Sequence, residues 1–526
     1  MTSYFSPAVL GLFAPLSVIA YQLFPRRARW AALLGASLVF FWALSGRLVA
    51  FVLASAAIVW VGGMALGALA RSRDRALAAE GAERRRVRRT YQRRMRAVLA
   101  VGVLLNVGIL VALKYLGFLG SVAEGLGLGL GLPSLPSIGV PIGISFYTLQ
   151  AVSYLTDVYR GVVPADANPA RLALFLTFFP QVMEGPIARY SQTAQALWSG
   201  RPVTARGLFL GGARVLWGLS KYLLVANRLN SFVKPVFADP ASYGGSVIAV
   251  AAVLYTMQLY CDFSGTIDFA VGMARVFGVE EPENFRQPFL SRTASEFWQR
   301  WHVTLGSWLK DYVFYPVSLS RPVKHLTGAA RRALGVRVGP AVASGVALLC
   351  VWVANGLWHG AGTQYLLFGL YYFVIIWLGG IVAPLSEGAL ARVGVSRDAL
   401  PWRAFQHVRT LLVVFAGELL FRASGARQGI SMLLRTVTDF SPASFVDGTM
   451  LGVGMDLHDF AVVGAFAVLL LVVGLARERG SSPLERVWER GPVARLAIVT
   501  ALVVMAVVFG AYGVGYVPVD PMYAQF

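Results

Sequence analysis

Two histidines carry the strongest hint of chemistry in this sequence. His302 lies within Glu296–Pro316, EFWQRWHVTLGSWLKDYVFYP, and His359 within NGLWHGAG; each directly follows a tryptophan, Trp301 and Trp358. Both sit at the edges of long apolar runs, where an ionisable group is costly and marks a functional site by default. A low-dielectric setting favours neutral imidazole, the form a general base must take. The bland alternative is a pair of structural histidines, hydrogen-bonded where helices meet. His325 and His407 fall in basic stretches, and His458 lies beside Asp456 and Asp459, so these three read as solvated.

Other polar residues surround the pair in sequence. Arg300 precedes Trp301, and Asn355 opens NGLWHGAG. Asp262 and Asp268 lie in the apolar stretch Tyr260–Gly278 with Ser264 and Gly265. They serve either inter-helix hydrogen bonding eased by small residues, or the orientation of a histidine and the shape of a substrate tunnel. Glu184 is bracketed by Pro180 and Pro186 in LFLTFFPQVMEGPIARY, which predicts a helix break inside an apolar region. No HExxH spacing exists and Cys261 has no neighbouring cysteine, so no metal site is expected. GxSxG, Walker A and Rossmann fingerprints are absent. Cys261 and Cys350 read as inert packing residues.

The elements that position these residues must be membrane helices. Of 526 residues, 57% are hydrophobic and 14% charged, with mean hydropathy +0.63. A soluble chain could not hide that much apolar surface. Repeated apolar runs of spanning length predict an all-α polytopic membrane protein, a single integral membrane domain over 1–526. The net charge of +21 sits between apolar runs, which favours positive-inside topology and anionic lipid over nucleic acid. Arg71–Arg96 holds eleven arginines against Asp74, Glu80 and Glu83, and reads as a cytoplasmic, helical, lipid-touching loop. Three crossings back from it puts the N-terminus outside. Basic stretches at Arg321–Arg337, Arg392–Arg409 and Arg477–Arg495 also read as cytoplasmic, so the tail at 516–526 falls outside too, after ten or twelve crossings. The Gly/Leu/Pro connector Gly125–Ser137 cannot be a good helix throughout. The N-terminus has no basic region before its first apolar run, which predicts no cleaved signal peptide.

Taken in order, PIGISFYTLQAVSYLTDVYRG, FPQVMEGPIARY, CDFSGTIDFAVGMARVFG, ENFRQPFLSRTASEFWQRWHVTLGSWLKDYVFYP and NGLWHGAGTQYLLFGL resemble the membrane-bound O-acyltransferase family, in the bacterial branch that modifies alginate and teichoic acids. The likeness is best from Pro141 to Leu370, within an expected catalytic core at 137–380. It implies a ring of tilted helices around a thinned centre, with funnels from both sides meeting at a histidine. It implies that His359 matches the family's catalytic histidine and His302 its second functional histidine, with Trp301, Trp358, Asp262, Asp268, Glu184, Arg300 and Asn355 lining or supporting a tunnel. It also implies an acyl donor that is acetyl-CoA or an acyl carrier protein thioester, no bound cofactor, a glycan acceptor, and a separate extracytoplasmic SGNH-type, esterase-like transferase as partner in a bacterial plasma membrane. The ending Met522-Tyr523-Ala524-Gln525-Phe526 resembles a C-terminal Tyr-x-x-Phe signature of the branch, in which the tyrosine relays the acyl group. Met522 and Ala524 depart from that pattern, and an interfacial aromatic anchor is the plainer role for Tyr523.

Three functions follow. The first is an acyltransferase moving an acetyl-like group to an extracytoplasmic glycan, with D-alanyl transfer to teichoic acid as the variant. The second is a transporter or flippase using Asp262, Asp268, Glu184 and His359 as an ion path, although no paired repeat is found. The third is a scaffold of a polysaccharide-export complex, which would tolerate loss of both histidines.

Overall fold

The computed structural model describes residues 3–79, 83–117, 120, 139–393, 396, 398–513 and 515–519. Among them every regular element is helical, and the single β-type pairing is an isolated bridge between Phe285 and Trp301. Nine helical stretches of the described residues are long and apolar enough to cross a membrane. The first of these, Arg26–Ala78, is two helices joined by a tight turn. Large apolar side chains stay exposed along the spans, Leu104 and Val468 among them, as lipid-facing helices require. The chain is an all-α, multi-pass membrane protein. It forms two compact units, Met1–Val215 with Thr266–Pro282, and Leu216–Gly265 with Glu283–Asp520.

The first unit contains α1 (Ala14–Leu23), α2 (Arg29–Ser45), α3 (Val49–Ala78), α4 (Arg84–Lys114), α5 (Ile144–Arg160), α6 (Pro169–Thr177), α7 (Phe179–Val182), α8 (Tyr190–Trp198) and the start of α9 (Ala205–Lys221). The basic stretch 71–96 is helical on both sides, as the end of α3 and the start of α4. A buried Ser55–Asn106 hydrogen bond of 2.7 Å ties α3 to α4.

The proline-flanked stretch does break. Helix α6 ends at Thr177, α7 lasts one turn, and Met183–Arg189 runs irregularly into α8. Irregular backbone among apolar helices survives only where its polar groups find partners inside protein. Tyr4 supplies two of them: its hydroxyl donates to the Phe179 carbonyl (2.8 Å) and accepts from Met183 N–H (3.1 Å). Ser37 Oγ accepts from Phe179 N–H at 3.1 Å. Gly143, just before α5, has φ +69°, and a Cβ there would lie 1.8 Å from the Val182 carbonyl, so only glycine fits.

After α9 come α10 (Asn227–Ala238), in the second unit, and α11 (Gly245–Val276), whose end from Thr266 belongs to the first. Helices α9 and α11 touch through glycines. A Cβ on Gly211 would sit 2.4 Å from the Gly272 carbonyl, and one on Gly218's neighbour Gly265 would sit 2.8 Å from the Gly218 carbonyl. Close approach of this kind is how small residues bring membrane helices together.

The second unit continues with α12 (Ala294–Arg300), α13 (Val303–Leu309), α14 (Tyr315–Ser318), α15 (Arg321–His359), α16 (Thr363–Val393), α17 (Leu400–Arg422), α18 (Ala426–Thr438), α19 (Leu457–Glu478), α20 (Pro483–Glu489) and α21 (Pro492–Phe509). The Glu296–Pro316 stretch is not a plain span; it is short helices broken at Trp301–His302. Helix α15 bends where Gly335 adopts φ +80°, so its basic first part is a separate helical segment from the span Val338–His359. That span pairs tightly with α16. A Cβ on Gly356 would meet the Tyr365 carbonyl at 2.4 Å, and one on Gly369 the Trp352 carbonyl at 2.4 Å.

Candidate active site

His302 is held by a small polar clamp. Asn284–Arg286 runs antiparallel to Arg300–Val303: Arg286 N–H donates to the Arg300 carbonyl and Val303 N–H to the Asn284 carbonyl, both at 2.9 Å. The two bonds grip the chain on either side of His302, which takes a left-handed conformation (φ 46°, ψ 51°). Among the described residues only Gln287 is another non-glycine with positive φ. Such a conformation is unfavourable for a residue with a Cβ and persists where surroundings enforce it.

The side chain of Asn284 then fixes the imidazole. Its Oδ1 accepts from Thr304 N–H (3.1 Å), from Thr304 Oγ1 (2.9 Å) and from His302 Nδ1 (3.1 Å). A backbone N–H can only donate, so the atom facing it is the amide oxygen, and His302 Nδ1 must carry the proton. The proton-accepting lone pair therefore resides on Nε2, which is buried with no hydrogen-bond partner among the described residues. Burial pulls the His302 pKa down to about 3, so the ring stays neutral. Its faces meet Phe263 and Trp358 edge-on, with ring centroids 4.8 and 5.6 Å away.

His359 is positioned differently, by packing at the last residue of α15. Its ring lies among Phe421 (4.9 Å), Trp358 (5.0 Å), Phe368 (5.9 Å) and Tyr365 (6.5 Å). The close α15–α16 pairing through Gly356 and Gly369 brings Tyr365 and Phe368 to it.

Both histidines line one cavity of about 330 Å³, contained within the second unit. Asn355, one turn before His359, lines it as well, and Trp298, Trp301 and Trp352 form much of its apolar wall. The space falls in the range of small-molecule pockets. A neutral imidazole at such a cavity can accept a hydrogen bond, or a proton, from a hydroxyl.

The remaining expected residues divide. Trp301 stacks on Phe297 at 5.4 Å and lines the cavity, and Trp358 lies edge-on to both histidines. Arg300 is not among the lining residues; it pairs with Glu296 and Glu478, each at 2.9 Å. Asp262 is buried on α11 in the second unit and does not line the cavity. Asp268 and Glu184 belong to the first unit. Asp268 forms a buried ion pair with Arg214 at 2.9 Å, between α11 and α9 beside the Gly211–Gly272 contact. Glu184 is buried in the irregular stretch before α8. Tyr523 lies outside the described residues. Among those residues no three His, Cys, Asp or Glu side chains are grouped to hold a metal. Asn284 was not singled out from sequence. Its signal was only a polar residue opening an aromatic motif, NFRQPF, ahead of His302.

Comparison with known proteins decides the family. The profile of the membrane-bound O-acyltransferase family matches residues 142–330, a range that includes His302 and ends before His359. The probable alginate O-acetylase AlgI of Pseudomonas aeruginosa is 32% identical over 421 residues, covering 80% of this chain and 71% of that protein. The chain belongs to the membrane-bound O-acyltransferase family. A second probable alginate O-acetylase AlgI, from Pseudomonas syringae, is 32% identical over 327 residues, 62% of this chain and 57% of that protein. The teichoic acid D-alanyltransferase of Bacillus subtilis is 30% identical over 240 residues, 45% of this chain and 58% of its own length. This membrane-bound O-acyltransferase is thus an acyltransferase whose two histidines share one cavity.

Proposed function

We propose that the enzyme moves an acetyl group from a cytoplasmic thioester to a hydroxyl outside the bacterial plasma membrane, for O-acetylation of an exopolysaccharide or cell-wall glycan. The observation that carries this reading is the shared cavity: His302 and His359 line one apolar space of about 330 Å³. A free hydroxyl is a poor nucleophile at neutral pH. With an imidazole taking its proton, the oxygen attacks the thioester carbonyl; the C–O bond forms, the C–S bond breaks, and the thiolate leaves and is reprotonated. His359 is the base in this scheme, and His302, neutral and with its lone pair on Nε2, assists in holding the hydroxyl. Holding donor and acceptor in one cavity supplies much of the remaining acceleration.

The donor is acetyl-CoA or the thioester of an acyl carrier protein, and both suit a strongly basic chain. Acetyl rather than D-alanyl transfer is favoured because the relatives named alginate O-acetylase match more of this chain than the D-alanyltransferase does. Both termini lie outside in this reading. Tyr523 receives the acyl group as an aryl ester, a reactive carrier because phenolate leaves readily. An extracytoplasmic SGNH-type transferase then passes it to the glycan.

The test is surface-glycan O-acetylation in cells expressing wild type, His302→Ala, His359→Ala or Tyr523→Phe, with membrane abundance of each protein measured. Loss of acetylation in His359→Ala and Tyr523→Phe at normal abundance is expected. Wild-type acetylation in His359→Ala would remove the base, and in Tyr523→Phe the relay.

A further inference from the structure

The cavity that holds the two imidazoles has a closed end and an open one. His302, His359, Trp301, Trp352 and Asn355 are all buried, and Trp358 lies edge-on to both histidines, so the two rings share one end. Ser295, Gln299, Gly306, Ser307 and Lys310 also line the cavity and are exposed; they form its mouth. Helix α13 advances about 10 Å from Val303, beside His302, to Lys310, and α15 about 16 Å from His359 back to Leu348, its farthest lining residue. The cavity is therefore a slot, and all of its lining lies in the second unit.

The slot carries almost no charge. Histidines aside, Lys310 is the one ionisable side chain among the described lining residues. Among the described residues no carboxylate pairs with it; its ammonium lies over the Tyr315 ring, 5.7 Å from the centroid. A cation–π contact at an exposed site is weak, and a charge-assisted hydrogen bond to an anion is stronger. Neutral walls, a proton acceptor at the buried end and a cation at the mouth suit a thin, uncharged arm that ends in an anion.

We propose that Lys310 binds the phosphate of the acyl donor's arm while the thioester reaches the imidazoles. The proposal rests on the thioester-donor reading above and names what the two candidate donors share. Coenzyme A and an acyl carrier protein both present their thiol on a pantetheine arm, which ends in a pyrophosphate in the first and a phosphodiester in the second. Extended, that arm spans roughly 15 Å at the reach per bond of a polypeptide chain. This matches the run of the slot from its mouth to the histidines. The direction agrees as well. Helix α15 begins in the basic stretch Arg321–Arg337, so the Leu348 end of the slot faces the side from which the reading brings the donor.

The experiment measures binding to the full chain in phosphatidylcholine nanodiscs, by equilibrium dialysis and by quenching of tryptophan fluorescence, since Trp298, Trp301 and Trp352 line the slot. The probes are phosphopantetheine and pantetheine, which differ only by the phosphate. Wild type is expected to bind the phosphorylated arm about tenfold more tightly, as one charge-assisted contact supplies, and the preference should shrink as salt rises. Lys310→Met should abolish the preference by weakening the phosphorylated arm alone, and Lys310→Arg should keep it. With the acetyl thioesters of both arms, Lys310→Met should raise KM for the phosphorylated one and leave kcat unchanged. A wild-type preference in Lys310→Met overturns the assignment, and so does equal weakening of both arms, which would mean that the lysine only shapes the mouth. An effect of Lys310→Met that appears only when phosphatidylglycerol is added to the discs assigns the lysine to a lipid headgroup and overturns it too. Equal binding of both arms by wild type overturns the role of Lys310 and leaves the donor reading standing; wild type that binds neither arm overturns the pantetheine-donor reading itself.

Discussion

His302 and His359 share a cavity and a tryptophan neighbour, yet different contacts hold them in place. His302 stands on a strained turn and is oriented by hydrogen bonds from a segment eighteen residues earlier in the chain. His359 closes a long helix and is oriented by aromatic rings and by two glycine contacts between α15 and α16. The first device fixes which nitrogen carries the proton; the second fixes where the ring lies. An imidazole that is to accept a proton needs both, because a wrong tautomer and a displaced ring each take its lone pair away from a hydroxyl.

The difference can be broken from either side. The largest effect is expected at Gly369, where a Cβ would sit 2.4 Å from the Trp352 carbonyl. Gly369→Ala should spread α15 from α16 and shift His359; misplacement by about 1 Å costs on the order of 100-fold in rate. Transfer rate per amount of membrane-inserted protein measures it, and a near-wild-type rate would mean that glycine packing does not set His359. A smaller, sharper effect is expected at Asn284. Asn284→Leu removes the acceptor for His302 and Thr304, which should lower the transfer rate about tenfold and cost roughly 1–3 kcal/mol of stability through the groups left unpaired. Asn284→Asp keeps the acceptor and should restore most of the rate, but its carboxylate favours imidazolium, so the His302 pKa rises from about 3. Activity in that variant should then fall on acidification at pH values where the wild type is unaffected. Identical pH profiles for the two proteins would show that Asn284 does not govern His302 protonation.

Much of this arrangement was legible in the sequence, and what was not has a common cause. The histidine pair, the helix break around Pro180 and Pro186, and the aspartates within an apolar helix are all local signals: a residue type against an apolar background. The partners are not local. Asn284 meets His302 through an isolated bridge that no periodicity announces. Arg300 pairs with Glu478, and Arg228 with Asp459, across 178 and 231 residues. The commitment of the polar start of α10 to residues 509–519 likewise depends on the fold. Asp268 carried two readings of equal weight; its ion pair with Arg214 beside touching glycines gives the inter-helix one a concrete partner. The division into two units within α9 and α11 left no mark in composition.

The central claim is that His302 and His359 act as one unit on one substrate in one cavity. A mutant cycle on acetyl transfer tests it most directly, with wild type, His302→Ala, His359→Ala and the double variant at matched membrane abundance. General-base removal costs about 10²–10⁴ in rate, and residues that act together are strongly non-additive. The account predicts that the double variant is no slower than His359→Ala alone. Losses that multiply, or a His359→Ala enzyme with the wild-type rate, would contradict it.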